Sequence, residues 1–281
     1  MRNTTSATII PFRDLEPTWT TKQATEAGFN RWLVTWVGGP EGHVNTNPGV
    51  ALEAPNFAVG MMVLPHGQRQ AGVHTHSVTE IYVILQGVLE GLDASGHSHR
   101  AGPMDCTYTP VGCPHGVRNA GMEDVILFWI HDGVERNGTA VYYDDDHAFG
   151  DVPPMELVRF ADLEASHEAP GAKDAGTRRW MVNWVGGLEG SFNHNPRTAI
   201  GNSKVAIGMM VLEPGHAEPG EPLGVNRLYL VMAGAAIVTL DGRNTVLGRL
   251  DGLHVSAGER VRLRNNGPET LRLLWVDAPK A

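Results

Sequence analysis

The sequence predicts an all-β protein made of two tandem copies of one unit. Three observations carry this. The chain repeats itself: GFNRWLVTWVGGPEG from Gly28 returns as GTRRWMVNWVGGLEG from Gly176, an offset of 148 residues. Its apolar stretches are short, rich in β-branched or aromatic residues, and end at Gly, Pro, Asn or Asp, as strands do. Finally, 34 Gly and 18 Pro in 281 residues suit a chain of many turns rather than long helices.

The repeat keeps its register over most of the chain. The offset of 148 also aligns FRDLE at 12–16 with FADLE at 160–164, and GMMVL at 60–64 with GMMVL at 208–212. One deletion later it becomes 147 and pairs Tyr82 with Tyr229 and Gly87 with Gly234. After a second it is 146, pairing Gly112 with Gly258, Asn119 with Asn265 and Trp129 with Trp275. The expected domains are 1–150 and 151–281, joined through the acidic, turn-rich DDDHAFGDVPP. Strands are expected at 59–64, 80–85, 106–109 and 125–131, and no stretch holds a long 3.6-residue apolar period. Many short strands at close spacing point to an antiparallel sandwich or barrel, wide enough to enclose one ligand.

Composition excludes several classes. An apolar fraction of 42% and a charged fraction of 19% are those of a globular chain. The net charge is −9 and no Lys/Arg cluster occurs, so no nucleic-acid partner is expected. No apolar run approaches the roughly 18 residues of a membrane span. The start, MRNTTSATIIPFRDL, lacks the apolar core of a secretion signal. Cys106 and Cys113 suggest no disulfide framework, and a reduced, cytoplasmic setting is expected.

The chemistry gathers in two segments. In GVHTHSVTEIYVILQG, His74 and His76 share a strand face, and Glu80 joins them if the chain stays extended. In PVGCPHGVRN, a Pro-x-Gly turn delivers His115 to a neighbouring strand. Three neutral imidazoles and one carboxylate suit a divalent Fe, Mn, Ni, Co or Zn ion. On a six-coordinate ion they leave two positions open. An isolated HxH is ordinarily a pair of exposed histidines. The chain supplies its own example in His97-Ser-His99, which has no carboxylate or third histidine at matching spacing.

The patterns His-x-His-x3-Glu-x6-Gly and Pro-x-Gly-x2-His-x3-Asn resemble the two signature motifs of the cupin superfamily, and the duplication resembles the bicupins. His74, His76, Glu80, Gly87, Pro110, Gly112, His115 and Asn119 fall at motif positions. One departure is the opening glycine, where Gly67 stands one residue too far from His74. The resemblance implies two double-stranded β-helix (jelly-roll) barrels, with a metal held by His74, His76, Glu80 and His115 near the mouth of the first. It leaves the reaction open, because this fold hosts many chemistries.

The second half departs from the motif. Glu80 corresponds to Arg227 and His115 to Val261, and Glu221–Gly224 supplies no histidine at the HxH position. Arg227 is permanently protonated and Val261 has no donor atom, so the C-terminal barrel is expected to lack metal. Arg227 is expected to be buried and paired with Glu221; an anion pocket of Arg227 and His254 is the alternative. In the last strand of the first repeat, Leu127, Trp129 and His131 are expected to face inward, because Ile126 matches Arg272. Trp129, Met61 and Met62 recur in the second half and read as core.

Candidate catalytic residues are His131, Tyr108 and Tyr82. The first functional expectation is an Fe(II)-type dioxygenase acting on a small organic acid or phenolic compound, with one metal per chain. The alternatives are a redox-neutral isomerase, cyclase, decarboxylase or lyase, and a non-catalytic small-molecule-binding bicupin. The expected partner is a small-molecule substrate, and the chain is expected to be a monomer or homodimer.

Overall fold

The computed structural model describes residues 7–19, 30–70, 72–94, 98–144, 146–167, 178–218, 220, 222–240 and 242–280. The chain divides into two compact units: Leu15–Phe160, and Ala161–Ala281 joined by Met1–Asp14. These bounds differ from a cut at residue 150 because the repeats exchange edge strands. Ala7–Ile10 pairs antiparallel with Gly252–Val255 of the second repeat. Glu156–Val158 pairs antiparallel with Cys106–Thr109 of the first. Equivalent carboxylates clamp the two exchanged segments: Asp251 accepts from Phe12 N at 2.8 Å, and Asp105 accepts from Phe160 N at 3.0 Å.

In the first unit the main sheet runs in the order Glu156–Val158, Cys106–Thr109, Glu80–Gln86, Val125–His131, Ala58–Leu64, Trp32–Gly38, Thr18–Trp19. A second sheet runs Val141–Tyr142, His74–Thr75, His115–Asn119, Leu89–Asp93, Ser98–Ala101. Apart from the short parallel strand Leu52–Glu53, the ladders among the described residues of this unit are antiparallel. The inner faces close on one apolar cluster: Leu89, Ala101 and Val117 from the smaller sheet meet Met62, Leu64, Tyr82, Ile84, Leu127 and Trp129 from the larger. Period-two alternation therefore decides which residues face the cavity. Ile126 is only part-buried while Leu127, Trp129 and His131 are buried.

The second unit repeats the plan. Its larger sheet runs Ala7–Ile10, Gly252–Val255, Asn226–Ala233, Leu271–Ala278, Ala206–Leu212, Arg179–Gly186, Ile200–Gly201. Arg243–Leu247, Ala236–Leu240 and Arg262–Arg264 form the smaller one, with a shared core around Met210, Leu253, Leu263 and Trp275. The glycine of each GMMVL segment has a packing reason. A Cβ on Gly60 would stand 2.2 Å from the Trp129 ring, and one on Gly208 would stand 2.3 Å from Trp275. No helix among the described residues is long and apolar enough to cross a membrane.

Candidate metal centre

The four motif residues converge from both sheets of the first unit. His74 opens a two-residue strand and pairs across it with His115, the first residue of its own strand. Gly112, at φ +76°, turns the chain into His115, with Cys113 N donating to Pro110 O at 3.0 Å. Glu80 opens a strand of the other sheet. The chain does not stay extended between His76 and Glu80: it bends at Ser77 and Val78 and crosses from one sheet to the other. Shared strand parity is therefore not what unites Glu80 with the histidines. Carboxylates from beyond the last barrel strand hold the bend. Asp132 accepts from Thr79 N at 2.9 Å, and Glu135 accepts from Ser77 N at 2.9 Å and Ser77 Oγ at 3.0 Å.

One donor atom from each of His74, His76, Glu80 and His115 lies within 4.8 Å of the others, a group able to hold a metal ion. His115 and His74 are buried, as is Glu80. Each imidazole has its Nδ1 engaged by oxygen: His74 with Gly72 O at 3.2 Å, His76 with Glu135 Oε2 at 2.7 Å, and His115 with Cys113 O at 2.9 Å. Such outer contacts fix ring orientation and leave Nε2 as the ligating atom. His115 Nε2 lies 2.9 Å from Glu80 Oε2, and His76 Nε2 lies 3.6 Å from it. His76 Nε2 is buried and has no hydrogen-bond partner. An orphaned nitrogen aimed at a carboxylate is what an ion would satisfy, so the donor set fits a divalent transition metal.

Electrostatics agree. Burial, with His115 beside it, lowers the His74 pKa to about 3 and keeps that ring neutral. Burial opposes charge on His76 too, but Glu80 and Glu135 outweigh it and raise its pKa. Glu80 is held well below the usual carboxylate range: burial works against this, and His76, His115 and His131 prevail. Glu135 is likewise held at about 2, its burial outweighed by the hydrogen bonds from His76 and Ser77.

The cluster borders a cavity of about 180 Å³. His131 and Tyr82 line it, as do Trp129 and Met62, which are therefore cavity wall as well as core. His131 stands directly across the ladder from Glu80, its Nε2 3.4 Å from Glu80 Oε1. Tyr82 accepts from Gln70 Nε2 at 3.0 Å, and burial with the nearby Glu80 pushes its phenol well above its usual pKa. Tyr108 is different. It pairs with Ile81, one residue out of phase with Glu80, so its side chain stands on the outer face and does not line the cavity. Thr107 and Thr109 hold the inner face instead, opposite Tyr82 and Glu80. Cys113 is buried outside the donor group, with its thiol pushed up to about 12 by burial and Asp93. Of His97-Ser-His99, His97 lies outside the described residues, and His99 sits 3.3 Å from Asp93.

Glu135 is the site residue that motif reasoning missed. It follows the last strand of the aligned repeat, Val125–His131, in a stretch that borders the cavity. Arg136, Asn137, Gly138 and Tyr142 of this segment line the cavity, and the Tyr142 ring stacks on His74 at 4.9 Å.

The corresponding cavity of the second unit is charge-paired. Arg227 donates to Asp277 at 2.5 and 2.7 Å and to Tyr229 at 3.3 Å, and Arg179 pairs with Glu218. The expected partner Glu221 lies outside the described residues. His254 does not join Arg227: it pairs with Leu228 in the ladder, so the two side chains take opposite faces. Among the described residues, the donor group of the first unit has no equivalent in the second.

A duplicated antiparallel barrel with one His₃Glu group at a cavity defines a two-domain cupin, or bicupin. The chain belongs to the cupin family: the cupin domain matches residues 60–131 and again 208–277. Over 76 residues it is 36% identical to beta-D-galactosidase Rv1717 of Mycobacterium tuberculosis, a match spanning 27% of this chain and 66% of that protein. It therefore spans slightly less than two thirds of that relative. Among solved structures, a glyoxylate-induced protein of Pseudomonas aeruginosa superposes with a TM-score of 0.64 at 16% identity, covering 99% of this chain and 90% of the other. A single-substitution variant of the oxalate decarboxylase of Bacillus subtilis gives 0.63 at 17%, covering 99% and 79%. At these identities the likeness is one of fold.

Proposed function

We propose that this chain is a metal-dependent cupin enzyme acting on a small organic acid or phenolic compound in its N-terminal barrel, through a redox-neutral proton transfer of the isomerase, cyclase, decarboxylase or lyase kind. The observation that carries the reading is His131. It is a buried imidazole beside Glu80 whose Nδ1 has no hydrogen-bond partner. A histidine so placed is suited to exchange a proton with a molecule in the cavity. When bound, the metal would supply Lewis-acid polarisation of a substrate oxygen.

The protein's own groups divide the remaining work. Glu135 and the backbone oxygens of Gly72 and Cys113 orient the three imidazoles. Tyr82, held in its phenol form, braces Glu80 and accepts from Gln70, which makes it a positioning residue. Trp129, Leu33 and Met62 give the cavity an apolar wall that excludes water. Manganese joins iron as a first choice of ion, because an oxalate decarboxylase of similar fold is described with Mn(II) centres. Nickel, zinc and cobalt suit the same donors.

The Fe(II) dioxygenase is the second reading, favoured by a donor set that leaves ligand positions open to both substrate and O₂. Turnover of a panel of small hydroxy, oxo and phenolic acids, measured with and without O₂, separates the two. Activity that persists anaerobically and is lost in His131→Phe with metal retained supports proton transfer. Strict O₂ dependence would sink it in favour of the dioxygenase. Metal and ligand binding without turnover under either condition would leave a binding module.

A further inference from the structure

The two cavities are related by the repeat, and one difference between them points to what the first one binds. At the offset of 148, Arg31 corresponds to Arg179 and Gln70 to Glu218. In the second unit Arg179 and Glu218 form an ion pair. In the first unit glutamine stands in place of the glutamate, and among the described residues no carboxylate pairs with Arg31. Among the described residues, the polar contact of the Arg31 guanidinium is the Met62 sulfur, 3.7 Å away. Gln70 is 5% exposed, and while its Nε2 donates to Tyr82, its Oε1 is buried with no partner. Both residues line the cavity that holds the His₃Glu group. Among the described residues, a half-buried cation without a counter-ion and a buried amide oxygen without a donor stand where the sister barrel has a closed pair.

We propose that Arg31 and Gln70 form the subsite that selects the substrate: Arg31 binds a carboxylate, and Gln70 Oε1 accepts a hydrogen bond from a hydroxyl of the same molecule. The guanidinium fork matches a carboxylate in shape and charge. A buried acceptor left unsatisfied disfavours any ligand that brings it no donor. This narrows the substrate class to small hydroxycarboxylates and rests on the reading of the cavity as a substrate site. It gives Arg31 a specificity role separate from the metal ligands.

The test uses the full chain, metal-free and metal-loaded, titrated calorimetrically with glycolate, lactate and malate and with their amides as uncharged controls. The variants are Arg31→Met and Gln70→Glu. The second rebuilds the Arg179–Glu218 pair, which the sister barrel accommodates, so its thermal midpoint should stay near that of the wild type. The expected result is that at least one acid binds, that its amide does not, and that both variants weaken binding about tenfold or more with metal content unchanged. If no acid binds, if amides bind as well as acids, or if binding survives both substitutions, the proposal is overturned. Carboxylate binding that depends on Arg31 in a chain that takes up no metal would uphold the subsite and remove the metal-enzyme reading instead.

Discussion

Glu135 Oε2 accepts a hydrogen bond from His76 Nδ1 at 2.7 Å, while Oε1 of the same carboxylate holds Ser77 N at 2.9 Å. One side chain from outside the barrel thus orients a candidate ligand and pins the bend that carries it. Glu135→Gln keeps a single acceptor oxygen, so one of these contacts is lost. Metal affinity should fall about 10- to 100-fold with the fold intact. Competition against a chelator of known affinity measures this; unchanged affinity would show that the bend alone positions His76.

The centre should take up one metal ion per chain, lost in His76→Ala, as elemental analysis of chelator-free protein will show. Uptake should depend on pH through His76. With its pKa raised by Glu80 and Glu135, this ring holds its proton to higher pH than a free imidazole, and the ion must displace it. Affinity therefore rises with pH until His76 is neutral, and below that point binding releases a proton. Calorimetry in buffers of different ionisation enthalpy counts that proton. A profile that stays flat as pH rises from below the ordinary imidazole range contradicts the assignment.

Arg227 and Asp277 form a buried pair in the second unit, 6% and 0% exposed. Removing one partner leaves a charge without compensation. Asp277→Ala should destabilise by about 3–5 kcal/mol, and the double change Arg227→Met with Asp277→Leu should recover much of that loss. Urea unfolding reads both. If the double variant is as unstable as the single one, the pair is not the cause.

Gly60→Ala should cost at least the roughly 1–3 kcal/mol typical of overpacking. The new Cβ would meet not only the Trp129 ring but also Val34 O at 2.3 Å, a backbone atom with little room to move. Gly208→Ala should act alike through Trp275 and Val182 O. Thermal unfolding of each variant tests this, and midpoints equal to wild type would refute the packing role.

Acid should weaken the second unit. Burial lowers the His254 pKa from 6.5 to about 4, so the unfolded chain takes up this proton near 6.5 and the folded chain only near 4. Stability is complete above pH 6.5 and is lost as pH falls toward 4. His194, lowered to about 4 by burial and by Arg227 and Arg179, adds a slope of the same sign. His254→Leu should flatten the profile, and an unaltered slope would assign the acid response elsewhere.

The duplication, the β class, the cavity-facing side of the strand ending at His131 and the four donor residues were all readable from the chain. They depend on periodicities and spacings, which are local properties of sequence. Tyr108 was not placed, because its face depends on the register against Glu80–Gln86, which is set by pairing across the sheet. Glu80 joined the cluster for a reason different from the expected one: the chain bends and changes sheets before it.

Glu135 and the Arg227–Asp277 pair came only from the fold. Glu135 is 59 residues from His76 and 58 from Ser77, and Asp277 is 50 from Arg227. No spacing rule links residues that far apart. Strand exchange likewise needed the folded chain, because an edge strand is specified by an open ladder elsewhere as much as by its own residues. Residue types and intervals thus settled what each barrel could offer a metal. Three-dimensional closure decided which charges meet in each cavity, and so left one barrel with four donors around a common point and the other with its charges paired.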